Sequence, residues 1–160
     1  KAGINMGIGT DTFPKDIISD MRYAALASRV ADKTFIAGHP RDVFNAATLG
    51  GAKMLGRDDL GRLQKGAKAD ISIVNLKDIA FGAVRDPIRS LMETAVSRDV
   101  RTVIVDGETL VDNGKYLRLN EDELLEKVQA KGEEMWDSVP KWHWTGKGVD
   151  EVVPSAFKMV

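Results

Sequence analysis

The sequence predicts an α/β chain, and three observations carry that reading. An apolar run, "INMGIGTDTF" at residues 4 to 13, stops at the carboxylate of Asp11. Behind it Ile17, Ile18, Met21, Ala24 and Ala25 recur at helical spacing on one face, with the small Ser28 next in the series. After Gly61 the period of the apolar residues falls toward two, the spacing of strands.

Residues 4 to 10 read as a strand that feeds an acid-bearing loop. Pro14 suits a first helical turn, because its fixed φ is already helical and its missing N–H is not needed there. Strand, loop and helix make half of a βαβ unit. Pro40 opens a second helix with Val43, Phe44 and Ala47 inward, and Gly50-Gly51 is expected to break or sharply bend it before "AKMLGRDDLG". The β-type runs are "GRLQKGAKADISIVNL", ending at Leu76, and "VRTVIVDGETLV" from Val100 to Val111, with Asp106-Gly107 as the hairpin turn. Between them "DPIRSLMETA" reads as a short helix with Pro87 near its start. Asn120 and Glu123 form an N-cap and capping-box pair. Leu124, Leu125, Val128, Met135 and Trp136 then make one apolar face of a helix that ends near Ser138. The tail "PKWHWTGKGVDEVVPSAF" has no period. An extended chain there puts Trp142 and Trp144 on one side and His143 on the other, and the tryptophans read as anchors that dock the tail.

Composition narrows the function. The 160 residues are 43% hydrophobic and 29% charged, enough for one core or two small ones, and the formal net charge is −1. A near-neutral balance without a basic stripe argues against a nucleic-acid surface, and no apolar run approaches the roughly 18 residues of a membrane span. A small-molecule partner remains. The absence of cysteine leaves no disulfide framework and no thiolate metal site, which fits a cytoplasmic location.

Asp11 carries two readings. Asp and Thr before a proline are common helix starts, so the acid is a cap for the next helix; alternatively it stands at the carboxyl end of a parallel strand, where α/β proteins place their chemistry. Thr10 and Thr12 flank it and are expected to bond locally. Phe13 either lines a pocket for a flat ring or packs on a rim. His39, in "AGHPRD", reads as part of a helix start. The pair Asp58-Asp59 and the run "NEDELLE" read as solvated acids, the latter matched to a helix dipole.

In their order and spacing, "GIGTD", "NAATLGGAKMLG", "LGRLQKGAKADISIVNL", "DPIRSL", "SRDVRTVIVDGETLV" and the capped helix resemble the C-terminal third of the amidohydrolase superfamily. The branch is that of the cytosine, guanine and adenosine-type deaminases and the triazine hydrolases, and the likeness covers most of residues 4 to 138. It implies that the chain is the C-terminal part of a (β/α)8 metal-dependent hydrolase barrel plus part of a small β-sandwich domain. Residues 1–57 are then the last strand and helices of the barrel, 58–117 the sandwich portion, and 118–160 a C-terminal helix and docking tail. The implied cofactor is a divalent metal, zinc first and iron second, at the carboxyl ends of the barrel strands. Asp11 is the implied catalytic and metal residue, a ligand or hydrogen-bond partner of the metal-bound water that serves as base and proton shuttle. The implied reaction hydrolyses the C–N bond, amino or amide-like, of a heterocyclic amine or small amide by metal-activated water.

The family's other ligands include a His-x-His pair, and this sequence holds only His39 and His143. A whole barrel takes roughly 250 residues. The chain therefore reads as a C-terminal fragment, inactive alone, its metal mostly liganded by residues absent from this chain. The strand of residues 4 to 10 would lack parallel neighbours, and the apolar face of the first helix would be exposed. "TDTFPKD" departs from the Ser-Asn-rich loop of the adenosine-type deaminases, which tells against a thioadenosine or homocysteine nucleoside. The alternative is a non-catalytic self-association or docking module, built from the sandwich half and the Asn120 helix. Either reading admits a homo-oligomer.

Overall fold

In the computed structural model, which describes residues 3–11 and 13–157, the first helix starts at Asp16 and not at Asp11. The Asp16 carboxylate accepts from the amides of Ile18 (3.0 Å) and Ser19 (3.4 Å), two donors that a first turn leaves without helical partners. This helix, α1 (Ile17–Asp32), ends at Lys33, whose left-handed backbone (φ 52°) turns its amide back to the carbonyls of Arg29 and Val30. Ile18, Met21 and Ala25 of the expected stripe are its buried residues.

His39 caps α2 (Pro40–Asn45), its Nδ1 accepting from the Arg41 amide at 3.3 Å, with Pro40 in the first turn. The expected break at Gly50-Gly51 does not occur. The helix passes through a π turn (Ala46–Gly50) into α3 (Gly51–Met54), and both glycines keep right-handed helical backbone. Gly50 answers to a close chain approach instead: a Cβ there would lie 2.0 Å from the carbonyl oxygen of Met6.

Residues 4 to 10 form no strand. A strand exists by hydrogen bonding to a neighbour, and no described residue supplies one to this run. It lies against the helical stack, where Asn5 Nδ2 donates to the Gly50 carbonyl oxygen at 3.2 Å and Ile8 packs on the core. What the sequence says of Lys1, Ala2 and Thr12 falls outside the described residues.

The strands β1 (Ile71–Val74), β2 (Val100–Val105), β3 (Glu108–Asp112) and β4 (Lys115–Tyr116) form one antiparallel sheet in that order. Asp106 and Gly107, with φ of 50° and 85°, make the expected two-residue turn. Asn113 and Gly114 repeat it one strand later with φ of 48° and 76°. α4 (Pro87–Thr94), capped by Asp86, lies in the connection from β1 to β2. Arg22 of α1 donates from Nε to Met92 O (3.1 Å) and from Nη2 to Ala95 O (2.7 Å), carbonyls that the end of α4 leaves over.

The core joins Ile18, Met21 and Ala25 of α1 to Val43 of α2, Met92 of α4 and Ala95, with Val74 and Val100 of the sheet against it. The apolar face of α1 is therefore covered by α2 and α4, contrary to the exposure expected of it. Met92 is only 2% exposed, and burying a side chain of that size contributes about 1.5–3 kcal/mol.

The chain divides into two compact units, Lys1–Leu117 and Arg118–Val160. In the second, Asn120 Oδ1 accepts from the Glu123 amide (3.4 Å) and starts α5 (Glu121–Trp142). That helix runs past its expected end near Ser138, because Pro140 removes only one amide close to the terminus, where few helical bonds remain to be lost. Trp142 is thus helical, the extended alternation of "WHW" is not formed, and Trp144 is 90% exposed. A short α6 (Val149–Val152) follows. Among the described residues no helix is long and apolar enough to cross a membrane.

Candidate active-site acid

Asp11 ends the run that lies against the helical stack. It is exposed, its backbone is left-handed (φ 46°), and among the described residues it has no hydrogen-bond or ion-pair partner. The capping duty that competed with chemistry belongs to Asp16, whose Oδ2 also accepts from Ser19 Oγ (2.9 Å) and from the distant amide of Ser97 (3.3 Å). A non-glycine residue held left-handed without a local bond invites a functional question, since that conformation costs energy which nearby contacts do not return. Phe13 is 89% exposed, with Lys15 Nζ 5.8 Å from its ring centroid. Thr10 makes no side-chain hydrogen bond among the described residues, so the local bonding expected there is absent.

Several other acids and both histidines have partners of their own. Asp59 takes a two-pronged bond from Arg57, Nε to Oδ1 at 2.6 Å and Nη2 to Oδ2 at 2.7 Å. Hydrogen bonding to that guanidinium lowers the Asp59 pKa to about 2. Lys68 Nζ donates to Asp106 Oδ1 (2.7 Å), and Asp70 Oδ1 accepts from the Asp106 amide (2.7 Å), so the loop before β1 is pinned to the hairpin turn. Glu123, at the start of α5, pairs with Lys127 at 2.6 Å. His39 spends Nδ1 on its cap, and His143 Nδ1 lies 2.7 Å from Thr145 Oγ1. Among the described residues no group of three or more His, Cys, Asp or Glu could hold a metal ion. The described residues do not by themselves make a metal site, because a bound divalent ion needs three or four ligands and nowhere do their side chains gather so many.

An apolar cleft of about 600 Å³ opens between α1, the π turn and β1, lined by Ile17, Met21, Phe44, Leu63, Ile71 and Leu91. Asp11 is not among the residues that line it.

The model of the amidohydrolase family matches residues 1–110. The chain belongs to the amidohydrolase family. It is 35% identical over 137 residues to the 5′-deoxyadenosine deaminase of Methanosarcina barkeri (strain Fusaro / DSM 804), an alignment that covers 83% of this amidohydrolase chain and 32% of the relative. The chain thus spans about a third of the length of the curated relatives it matches. A zinc-bound adenosine deaminase from Xanthomonas campestris superposes with a TM-score of 0.78 over 82% of this chain and 31% of its own, at 24% identity, which shows a shared fold. A mutant atrazine chlorohydrolase from Arthrobacter aurescens, complexed with zinc and atraton, gives 0.72 at 33% identity over 80% and 30%. These neighbours imply a barrel-type α/β fold, and the described residues of this chain form helices and a four-stranded antiparallel sheet.

Four features of this amidohydrolase chain escaped the reading of the sequence. Asp16 could have been found as an acid with Ser19 three residues on, next to the apolar stripe. Asn113-Gly114 is a strong hairpin dipeptide that stood in plain view. Arg22 and Asn5 carry no local signal, since their partners lie 70 and 45 residues away.

Proposed function

We propose that this chain is the C-terminal part of a longer metal-dependent amidohydrolase that hydrolyses the C–N bond of a heterocyclic amine or small amide, with Asp11 as its acid–base residue. The observation that carries the reading is Asp11 itself, an exposed carboxylate with left-handed backbone and no partner among the described residues, at the end of "GIGTD". Family membership, the deaminase name of a 35% identical relative and the third of its length that is covered support it. So does the run of residues 4 to 10, apolar in pattern yet without a strand partner among the described residues. In this reading residues 1–57 complete a barrel, 58–117 contribute to a sandwich and 118–160 form a helix and tail.

The chemistry asks for a carboxylate. As water attacks the ring carbon a C–O bond forms and the C–N bond breaks; Asp11 accepts the proton of the water and returns it to the departing nitrogen. A divalent metal, zinc as in the zinc-bound neighbours, acts as a Lewis acid in such sites. Here its remaining ligands would come from outside residues 1–160, with Asp11 the donor proposed from this chain. The test is ammonia release from aminated heterocycles, beginning with 5′-deoxyadenosine, by the complete polypeptide that carries this chain. Turnover that survives in Asp11→Asn would remove the acid–base role.

A further inference from the structure

Among the described residues, the run from Ile4 to Asp11 is held at one end only. Asn5 Nδ2 donates to the Gly50 carbonyl oxygen at 3.2 Å, and the Met6 carbonyl oxygen fills the place a Cβ on Gly50 would need, 2.0 Å from it. A Cβ on Gly7 would meet Met54 Sδ at 2.7 Å and the Gly51 backbone at 3.5 Å. Ile8 then packs against the core. Beyond it the contacts stop: a Cβ on Gly9 would meet nothing within 4 Å, and Asp11 is exposed. Four consecutive residues, Asn5 to Ile8, touch the helical stack or the core, and Asp11 beyond them is exposed.

The stack at that point is the π turn Ala46–Gly50. A π turn carries an extra residue per turn and marks a departure from plain helix that seldom persists without a use. This one is clamped on two sides. Thr48 Oγ1 donates to Phe44 O at 2.8 Å, and the backbone of Gly61 comes so near Thr48 that a Cβ there would lie 2.8 Å from its carbonyl oxygen. Gly50, buried in the turn, is the residue on which Asn5 and Met6 converge.

We infer that Asn5 and Gly50 are positioning residues for Asp11: the π turn is the seat on which the run leading to the acid is placed, by one side-chain hydrogen bond and one backbone approach that only glycine permits. The inference rests on the acid–base reading of Asp11. Among the described residues the run makes no ladder bonds, so this seat is its attachment to the rest of the chain, and strand pairing in a complete barrel would add to it. A displacement of about 1 Å at a reacting group can cost on the order of 10²-fold in rate.

The experiment compares Asn5→Ala, Asn5→Gln and Gly50→Ala with the parent in the complete polypeptide, by amide hydrogen exchange and by steady-state kinetics, with Asp11→Asn run in parallel. In Asn5→Ala and Gly50→Ala the exchange of residues 3–11 rises while α1 and β1 to β3 keep their protection. In the same two variants kcat falls by about 10-fold or more at a KM within about twofold of the parent. Asn5→Gln, which keeps a donor, recovers part of the loss. If Gly50→Ala does not fold, the two Asn5 variants decide alone. A defective Asp11→Asn beside normal turnover in Asn5→Ala and Gly50→Ala overturns this inference and leaves the acid–base reading standing. Unchanged exchange over residues 3–11 overturns it too. Normal turnover in Asp11→Asn overturns the acid–base reading and this inference together.

Discussion

Asp11 and Asp16 are five positions apart, and the structure separates the two duties that the sequence left together on one acid. Asp16 carries the cap, with two backbone amides, a hydroxyl and the Ser97 amide on its carboxylate. Asp16→Ala should therefore lower stability by about 1–2 kcal/mol in urea unfolding, while Asp11→Asn leaves the midpoint where it was. In the complete enzyme Asp11→Asn should cost at least about 10²-fold in turnover, the usual worth of a general base, because Asn keeps the size and one acceptor oxygen but not the basicity. A mutant that melts early yet turns over normally would reverse both assignments. Asp59 sets a different expectation, for pH. Its carboxyl falls from an ordinary 3.8 to about 2 beside Arg57, so the folded state gains from its ionisation above about pH 4 and loses that gain as pH falls through 2. Asp59→Asn should flatten the acid limb of stability between those values. A slope equal to the parent's would show that the Arg57 pair, exposed as it is, contributes nothing in solution.

At the scale of the element, regular pieces were legible and close approaches were not. The stripe of α1, the Pro40 and Pro87 helix starts, the Asp106-Gly107 turn and the Asn120 cap all follow from local rules, and the structure contains each. Gly50-Gly51 misled because two adjacent glycines signal a break when only neighbours in sequence are weighed, whereas Gly50 is there for Met6, forty-four residues earlier. The strand of residues 4 to 10 misled for a related reason. Its apolar pattern predicts burial, yet Ile4 and Met6 stay 76% and 68% exposed, because both pairing and burial depend on neighbours that sequence periodicity does not see. Arg22 belongs to the same illegible class: it sits on the flank of α1 and satisfies two carbonyls at the end of α4. Arg22→Ala should destabilise by about 2 kcal/mol, since bonds from a charged donor are worth more than neutral ones and both carbonyls lose their partner. Arg22→Lys should rescue only part of it, because an ammonium cannot present two donors in a fixed fork. Equal stability of all three proteins would mean that water replaces Arg22 without loss.

On the scale of the whole molecule, the candidate site is one acid, and among the described residues no group of His, Asp or Glu is gathered to complete it. The sequence already showed why: it holds two histidines, and neither belongs to a His-x-His pair. The structure adds where they are spent, one on the start of α2 and one beside Thr145. Purified residues 1–160 should accordingly bind no stoichiometric zinc or iron and release no ammonia from any heterocyclic amine, because a single exposed carboxylate in water holds a divalent ion only weakly. Metal analysis after dialysis, with activity measured on the same sample, makes the check. The complete polypeptide should instead retain close to one equivalent and lose activity on chelation. A tightly bound equivalent in residues 1–160 alone would require a site shared between copies of the chain. It would move the chemistry of this amidohydrolase away from a lone Asp11 completed by other chain and toward self-association.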